Sequence, residues 1–155
     1  MDLHIDGKIL VDKSPVPEIE RVDPYIQASI DAMFVSISIT ENTHESPWYI
    51  LPGMRVLMST LEVVTVSEGW VGLICLRSTW ARLGLISPPT LVDPGFQGNL
   101  TMELFNASEY SIAIRNGEAI WSMTRLLIQP GSEEMYQGRY QGQRGVTIPK
   151  ALRHE

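Results

Sequence analysis

Along much of the chain, apolar residues recur at every second position in short runs broken by Gly, Pro, Asn and Ser. A period of two sends alternate side chains to opposite faces of a strand, so these runs predict half-buried β-strands. The clearest are Met33–Thr40, Arg55–Val66, Trp70–Leu76, Asn99–Asn106 and Ala119–Ile128. Turn signals separate them: Leu51-Pro52-Gly53, Ser67-Glu68-Gly69, Asp93-Pro94-Gly95 and Arg115-Asn116-Gly117. Strands at this spacing, with little helical periodicity, predict an antiparallel sandwich or barrel. One stretch departs from the pattern. Arg77 through Gly84 reads as one or two helical turns, with Ser78 capping the start and Gly84 taking a left-handed exit.

After Gln129 the alternation stops. The segment Tyr136 to Gly145 contains no aliphatic residue, which predicts a body over residues 1–130 and a mobile arm over 131–155. Composition alone reads the arm as disorder. Its aromatic faces, amides and two arginines, Arg139 and Arg144, also suit a base and phosphates.

Length and composition narrow the picture. A chain of 155 residues with 44% hydrophobic residues reads as one globular domain. The single cysteine, Cys75, excludes an intrachain disulfide, and its apolar run Val71–Leu76 predicts a small buried side chain. His4, His44 and His154 are scattered, so no zinc site is expected. No apolar run approaches the roughly 18 residues of a membrane span, and the N-terminus has no basic-then-apolar leader. A cytoplasmic protein without a membrane partner is expected. The net charge of -6 opposes nonspecific nucleic-acid binding but leaves room for a small anion held by a few arginines.

Several residues carry candidate chemistry. A strand running into a helix start at Arg77, Ser78 and Thr79 could gather backbone N–H groups, hydroxyls and a guanidinium around an anion. The same residues fit an ordinary capped helix. Asp93 precedes Pro94-Gly95, which suits a type II turn and holds Asp93 at the mouth of a hairpin; the carboxylate could equally stabilise that turn. Phe96 suits either a pocket wall or a strand core. Glu103 alternates with Met102 and Leu104, so it faces solvent or a pocket.

Five motifs in order resemble the dUTPase/dCTP deaminase superfamily. Arg77-Ser78-Thr79-Trp80-Ala81-Arg82-Leu83-Gly84-Leu85 resembles its phosphate motif, and Val92-Asp93-Pro94-Gly95-Phe96-Gln97-Gly98 its aspartate turn. Met102 to Asn106 is similar to the deaminase-type strand bearing a glutamate. Gln27-Ala28-Ser29-Ile30-Asp31 is similar to an early Pro-Ala-Ser-x-Asp element, and Tyr136 to Gly145 to the C-terminal arm, with Arg139 in a lysine position. Each motif is weak alone; five in order are specific. The resemblance implies an all-β, distorted jelly-roll or β-barrel of the dUTPase type with one short helix. It also implies a homotrimer with sites between subunits, and an arm that closes over a deoxynucleoside triphosphate. Arg77, Ser78, Thr79 and Arg82 would contact phosphate, Phe96 the deoxyribose, and Tyr136, Arg139 and Gln143 the nucleotide from the arm. Asp93 would position water and touch the sugar, and Glu103 occupies the deaminase acid/base position.

Departures from the pattern point to one activity. Deaminases resembling this chain carry a Thr-Ala-Gly segment before the aspartate, where this chain has Ile86-Ser87-Pro88-Pro89-Thr90-Leu91-Val92. Ser122 also stands where many relatives have glutamine. The shortened segment resembles archaeal dUTPases, so the expectation is a dUTP pyrophosphatase, with dCTP deaminase or a bifunctional enzyme as the alternative. Mg2+ would be bound mainly through the triphosphate, without a protein cage.

Overall fold

The computed structural model describes residues 1–12, 22–39, 47–128 and 134–153. Thr40, His44, the expected start of the arm at 131–133 and His154 lie outside the described residues. In chain order the elements are β1 (Asp2–Asp12), α1 (Gln27–Asp31), β2 (Phe34–Ser38), β3 (Trp48–Ile50), β4 (Arg55–Thr60), β5 (Val64–Thr65) and β6 (Trp70–Leu76). There follow α2 (Ser78–Arg82), β7 (Leu85–Ile86), β8 (Thr90–Val92), β9 (Gln97–Gly98), β10 (Thr101–Asn106), β11 (Ile112–Ile114) and β12 (Ala119–Leu127).

One eight-stranded sheet runs β7-β10-β4-β1-β12-β6-β8, with β2 also on β1; β11 pairs with β3 and β5 with β9. All pairings are antiparallel. The distorted all-β jelly roll expected from the motifs is the observed fold, and a second short helix, α1, joins the expected α2. Alternation sets the inner face. On β10, Met102, Leu104 and Asn106 turn in while Glu103 and Phe105 turn out. Leu3, Ile5, Ile9, Met58, Ile74, Leu104, Ile114 and Trp121 fill the interior. Each such side chain contributes roughly 1.5–3 kcal/mol of apolar burial.

The pattern missed β1 because Asp6-Gly7-Lys8 interrupts it. The register against β4 shifts there, between Ile5 and Ile9, yet both isoleucines reach the core. The expected strand Arg55–Val66 breaks into β4 and β5, because the carbonyls of Thr60, Leu61 and Glu62 turn toward the side chain of Asn99.

A second, smaller core covers the outer face of the sheet. Leu10, Phe34 and Leu57 from the strands meet Ile30 of α1, and Val146, Ile148 and Ala151 of the tail close over them. The polar stretch 136–145 of the expected arm is thus followed by apolar residues packed on the sheet. Cys75 also departs from expectation. It is exposed, because Ile74 takes the inward position on β6. Leu126, Leu127 and Ile128 lie outside the buried core. Arg77, not Ser78, occupies the cap position of α2, with no side-chain cap bond. Gly84 does take the left-handed exit, at φ 98°.

Candidate active site

The turn at Asp93 opens the site. Gly95 has φ 85°, as the third residue of a type II turn requires, and Phe96 N donates to the Asp93 carbonyl at 3.2 Å. Gly95 N donates to the Val66 carbonyl at 2.7 Å, which fixes the turn to the barrel. The Asp93 side chain is left exposed at the rim of a pocket of about 320 Å³.

The tail builds the opposite wall. Tyr136 N donates to the Pro94 carbonyl at 2.7 Å, and Gly142 N to the Gln97 carbonyl at 2.7 Å. Asn99 N donates to the Gln143 carbonyl at 3.0 Å, while Gln143 Nε2 returns a bond to the Asn99 carbonyl at 2.6 Å. Thr147 N then donates to Thr101 Oγ1 at 3.0 Å. Phe96 is buried, and its ring meets the Tyr136 ring edge-on at 5.6 Å. Gly98 makes the approach feasible: a Cβ there would sit 3.0 and 3.1 Å from the backbone O and N of Gln143.

Asp93, Phe96, Glu103, Tyr136 and Gln143 line this one pocket. Glu103 projects from β10 beside Leu57 of β4, between the sheet and the tail. Gln143 Oε1 is buried without a donor among the described residues. Close to Glu103 in charge terms is Arg55, which the motifs did not single out. Its Nε and Nη2 donate to Asp12 at 2.9 and 2.8 Å. That hydrogen bonding raises the Arg55 pKa above its ordinary value against the cost of burial, and the charges of Asp12 and Glu103 add to it. The hint available in the sequence was its place on a strand, alternating with buried Val56.

The phosphate-motif residues do not line the pocket within this chain. Ser78, Thr79 and Arg82 are exposed on α2, and Arg77 Nη1 donates to Asp2 Oδ2 at 3.1 Å. Arg139 faces a separate cleft, where its guanidinium donates to the carbonyls of Lys150 and Ala151. Ser122 lies in register between Asp2 and Cys75, away from the pocket. The departing Ser-Pro-Pro-Thr segment is well used. Ser87 Oγ accepts from Trp121 Nε1 at 2.9 Å, and Thr90–Val92 becomes β8, whose residues line the pocket next to Asp93. Among the described residues no group of three His, Cys, Asp or Glu side chains is placed to hold a metal. None of the described helices is long and apolar enough to cross a membrane.

An apolar floor with two carboxylates and a rim of hydroxyls and amides, set in a distorted jelly roll, defines a small-molecule pocket. Residues 1–125 match the dCTP deaminase-like family, and the chain belongs to it. A dCTP deaminase of Pyrobaculum neutrophilum is 47% identical over 106 residues, covering 68% of this chain and 59% of that protein. One of Metallosphaera sedula is 43% identical over 101 residues, covering 65% and 58%. The chain thus spans under two thirds of the length of these relatives. A solved dCTP deaminase of Agrobacterium tumefaciens superposes with a TM-score of 0.61 at 11% identity, over 81% of this chain and 36% of that one, a likeness of fold.

These relatives overturn the expectation of a dUTP pyrophosphatase. That expectation rested on the missing Ala-Gly before Asp93. The segment's replacement nonetheless forms a strand in the pocket wall, and chains sharing up to 47% identity bear the deaminase name.

Proposed function

We propose that the protein is a dCTP deaminase, converting dCTP and water to dUTP and ammonia. The observation that carries this is Glu103, a carboxylate on the outward face of β10 that lines the pocket, in a chain whose relatives are named for that reaction. Glu103 takes a proton from the attacking water and passes it to cytosine N3 as the new C4–O bond forms. It then carries the remaining hydroxyl proton to the amino group, the C4–N bond breaks, and ammonia leaves. Thr90 and the backbone of β8 line the wall from which the water would be held.

Asp93 contacts the deoxyribose at the rim. Phe96 packs edge-on against Tyr136, and its ring offers a 2′-hydroxyl no polar partner. Gln143 Oε1 needs a donor, which a bound nucleotide or its ordered water would supply. The arm closes over the site from its own chain.

Among the described residues, no Lys or Arg lines this pocket to meet the phosphates. We assign that role to the guanidiniums of Arg77 and Arg82, with the hydroxyls of Ser78 and Thr79, of a neighbouring copy in a homotrimer. Among the described residues the Arg77 guanidinium is held by an exposed pair with Asp2, which costs at most about 1 kcal/mol to exchange for phosphate. Leu91, Leu126 and Leu127 are 62%, 43% and 71% exposed on the β6–β8–β12 side and offer apolar surface for such a contact. Mg2+ would be held by triphosphate oxygens, since no cage is built from the described residues. A cytoplasmic location suits the nucleotide substrate and the single exposed thiol. Ammonia release from dCTP, compared between the wild type and Glu103→Gln, tests the reading.

A further inference from the structure

The tail reaches the pocket as a strap fastened beyond it as well as along it. Past Gln143 the chain supplies two more lining residues, Thr147 and Pro149. Immediately afterwards α1 takes hold of it. Gln27 Nε2 donates to the Pro149 carbonyl at 3.1 Å, and Ala151 N donates to Gln27 Oε1 at 2.8 Å. One side-chain amide thus satisfies two backbone groups two residues apart, as a neighbouring strand would. The amide cannot be reversed without loss: Nε2 also donates to Asp31 Oδ1 at 2.7 Å, one turn along α1. Leu152 N donates to the Pro24 carbonyl at 2.7 Å just before the helix.

We infer that Gln27 is a positioning residue, a clasp that holds the distal end of the tail so that Tyr140, Gln143, Thr147 and Pro149 stay in the pocket wall. The tail is closed on itself at the same place. Arg139 donates to the carbonyls of Lys150 and Ala151, Lys150 Nζ donates to the Arg139 carbonyl, and Lys150 N donates to Tyr140 Oη at 2.9 Å. Arg139 is therefore spent on closing this loop, which accounts for its absence from the pocket. Releasing Gln27 frees the loop as a unit while leaving the inner core untouched. In this arrangement the arm opens by unclasping from α1, and fraying from its terminus is resisted.

The test uses Gln27→Ala and Gln27→Glu in the full chain. Glutamate keeps the length and the acceptor, but places a carboxylate against the Pro149 carbonyl and Asp31. The clasp predicts that both variants expose the tail to trypsin at Arg144 and Lys150 at least about fivefold faster, with the thermal midpoint little changed. It also predicts a rise in KM for dCTP of about three- to tenfold with a smaller change in kcat. This kinetic arm rests on the deaminase reading. If the wild type releases no ammonia from dCTP, that reading fails, and the cleavage rates still decide the clasp. Wild-type cleavage in both variants, or a wild-type-like Gln27→Glu, would overturn it. Faster cleavage with unchanged KM would overturn the positioning role.

Discussion

Asn99 joins the barrel to the tail, and replacing it tests how firmly the site is built. Its buried Nδ2 donates to the carbonyls of Thr60, Leu61 and Glu62 at 2.9, 3.3 and 3.0 Å, and its Oδ1 accepts from Gly145 N at 3.2 Å. Asn99→Ala removes all four contacts. The Thr60 carbonyl keeps one weak donor, Ser59 Oγ at 3.2 Å, and the Glu62 carbonyl keeps Thr60 Oγ1 at 2.9 Å, so the loss falls mainly on the Leu61 carbonyl and on Gly145 N. At about 1–3 kcal/mol for each group left unsatisfied, and with both groups only partly buried and so near the low end, the total with the weakened Thr60 and Glu62 bonds is about 3 kcal/mol at most. For a domain of this size that lowers the thermal midpoint by roughly 6–12 °C. Asn99→Asp keeps the shape but turns a carboxylate toward three carbonyl oxygens, and is expected to be at least as damaging. Calorimetry on the two variants measures the effect. A midpoint within about 2 °C of wild type for both would refute the accounting, because no cost of this kind is so small when buried carbonyls lose their donor.

Gly98→Ala should displace the tail at Gln143, where the new Cβ would meet backbone at 3.0 Å; a KM for dCTP raised about tenfold is expected from steady-state kinetics, and an unchanged KM would show the tail does not wall the site. Asp93→Asn should raise KM for dCTP more than it lowers kcat, since Asp93 stands at the sugar rim; titration of ammonia release against dCTP reads the split, and a variant as dead as Glu103→Gln would place Asp93 in the chemistry. Light scattering should give three times the 17.4 kDa chain mass, and a stable, fully active monomer would remove the neighbouring copy's α2 from the phosphate site.

The fold was legible wherever the period of two ran unbroken. β6 and β10 stand close to their expected bounds because their inward residues alternate cleanly, down to Glu103 turning out between Met102 and Leu104. It was hidden where side chains override the local pattern. β1 bends through Asp6-Gly7-Lys8, and the strand expected through Leu61 breaks because Asn99, distant in sequence, claims three carbonyls. In the tail, the polar stretch carried no packing signal, but Val146 and Ile148 just beyond it alternate, and they reach a small core whose other half comes from α1, β1, β2 and β4. In the site, five residues that the motifs singled out, Asp93, Phe96, Glu103, Tyr136 and Gln143, line one pocket. They could not reveal that Arg55 lies within reach of Glu103's charge, nor that Arg139 turns the other way to hold carbonyls. The choice of reaction failed on a single short segment. A segment shorter than its deaminase counterpart was read as pointing to a dUTPase, whereas its last residues form β8 and line the pocket.

The central claim is that Glu103 drives deamination of a cytosine base in this pocket. Ammonia release from dCTP, followed for the wild type and for Glu103→Gln with nucleotide binding measured alongside, tests it most directly. The account predicts steady ammonia and dUTP formation by the wild type, and a loss of at least about a thousandfold in kcat for Glu103→Gln with dCTP still bound. No ammonia from the wild type, or substantial activity surviving in Glu103→Gln, would contradict it.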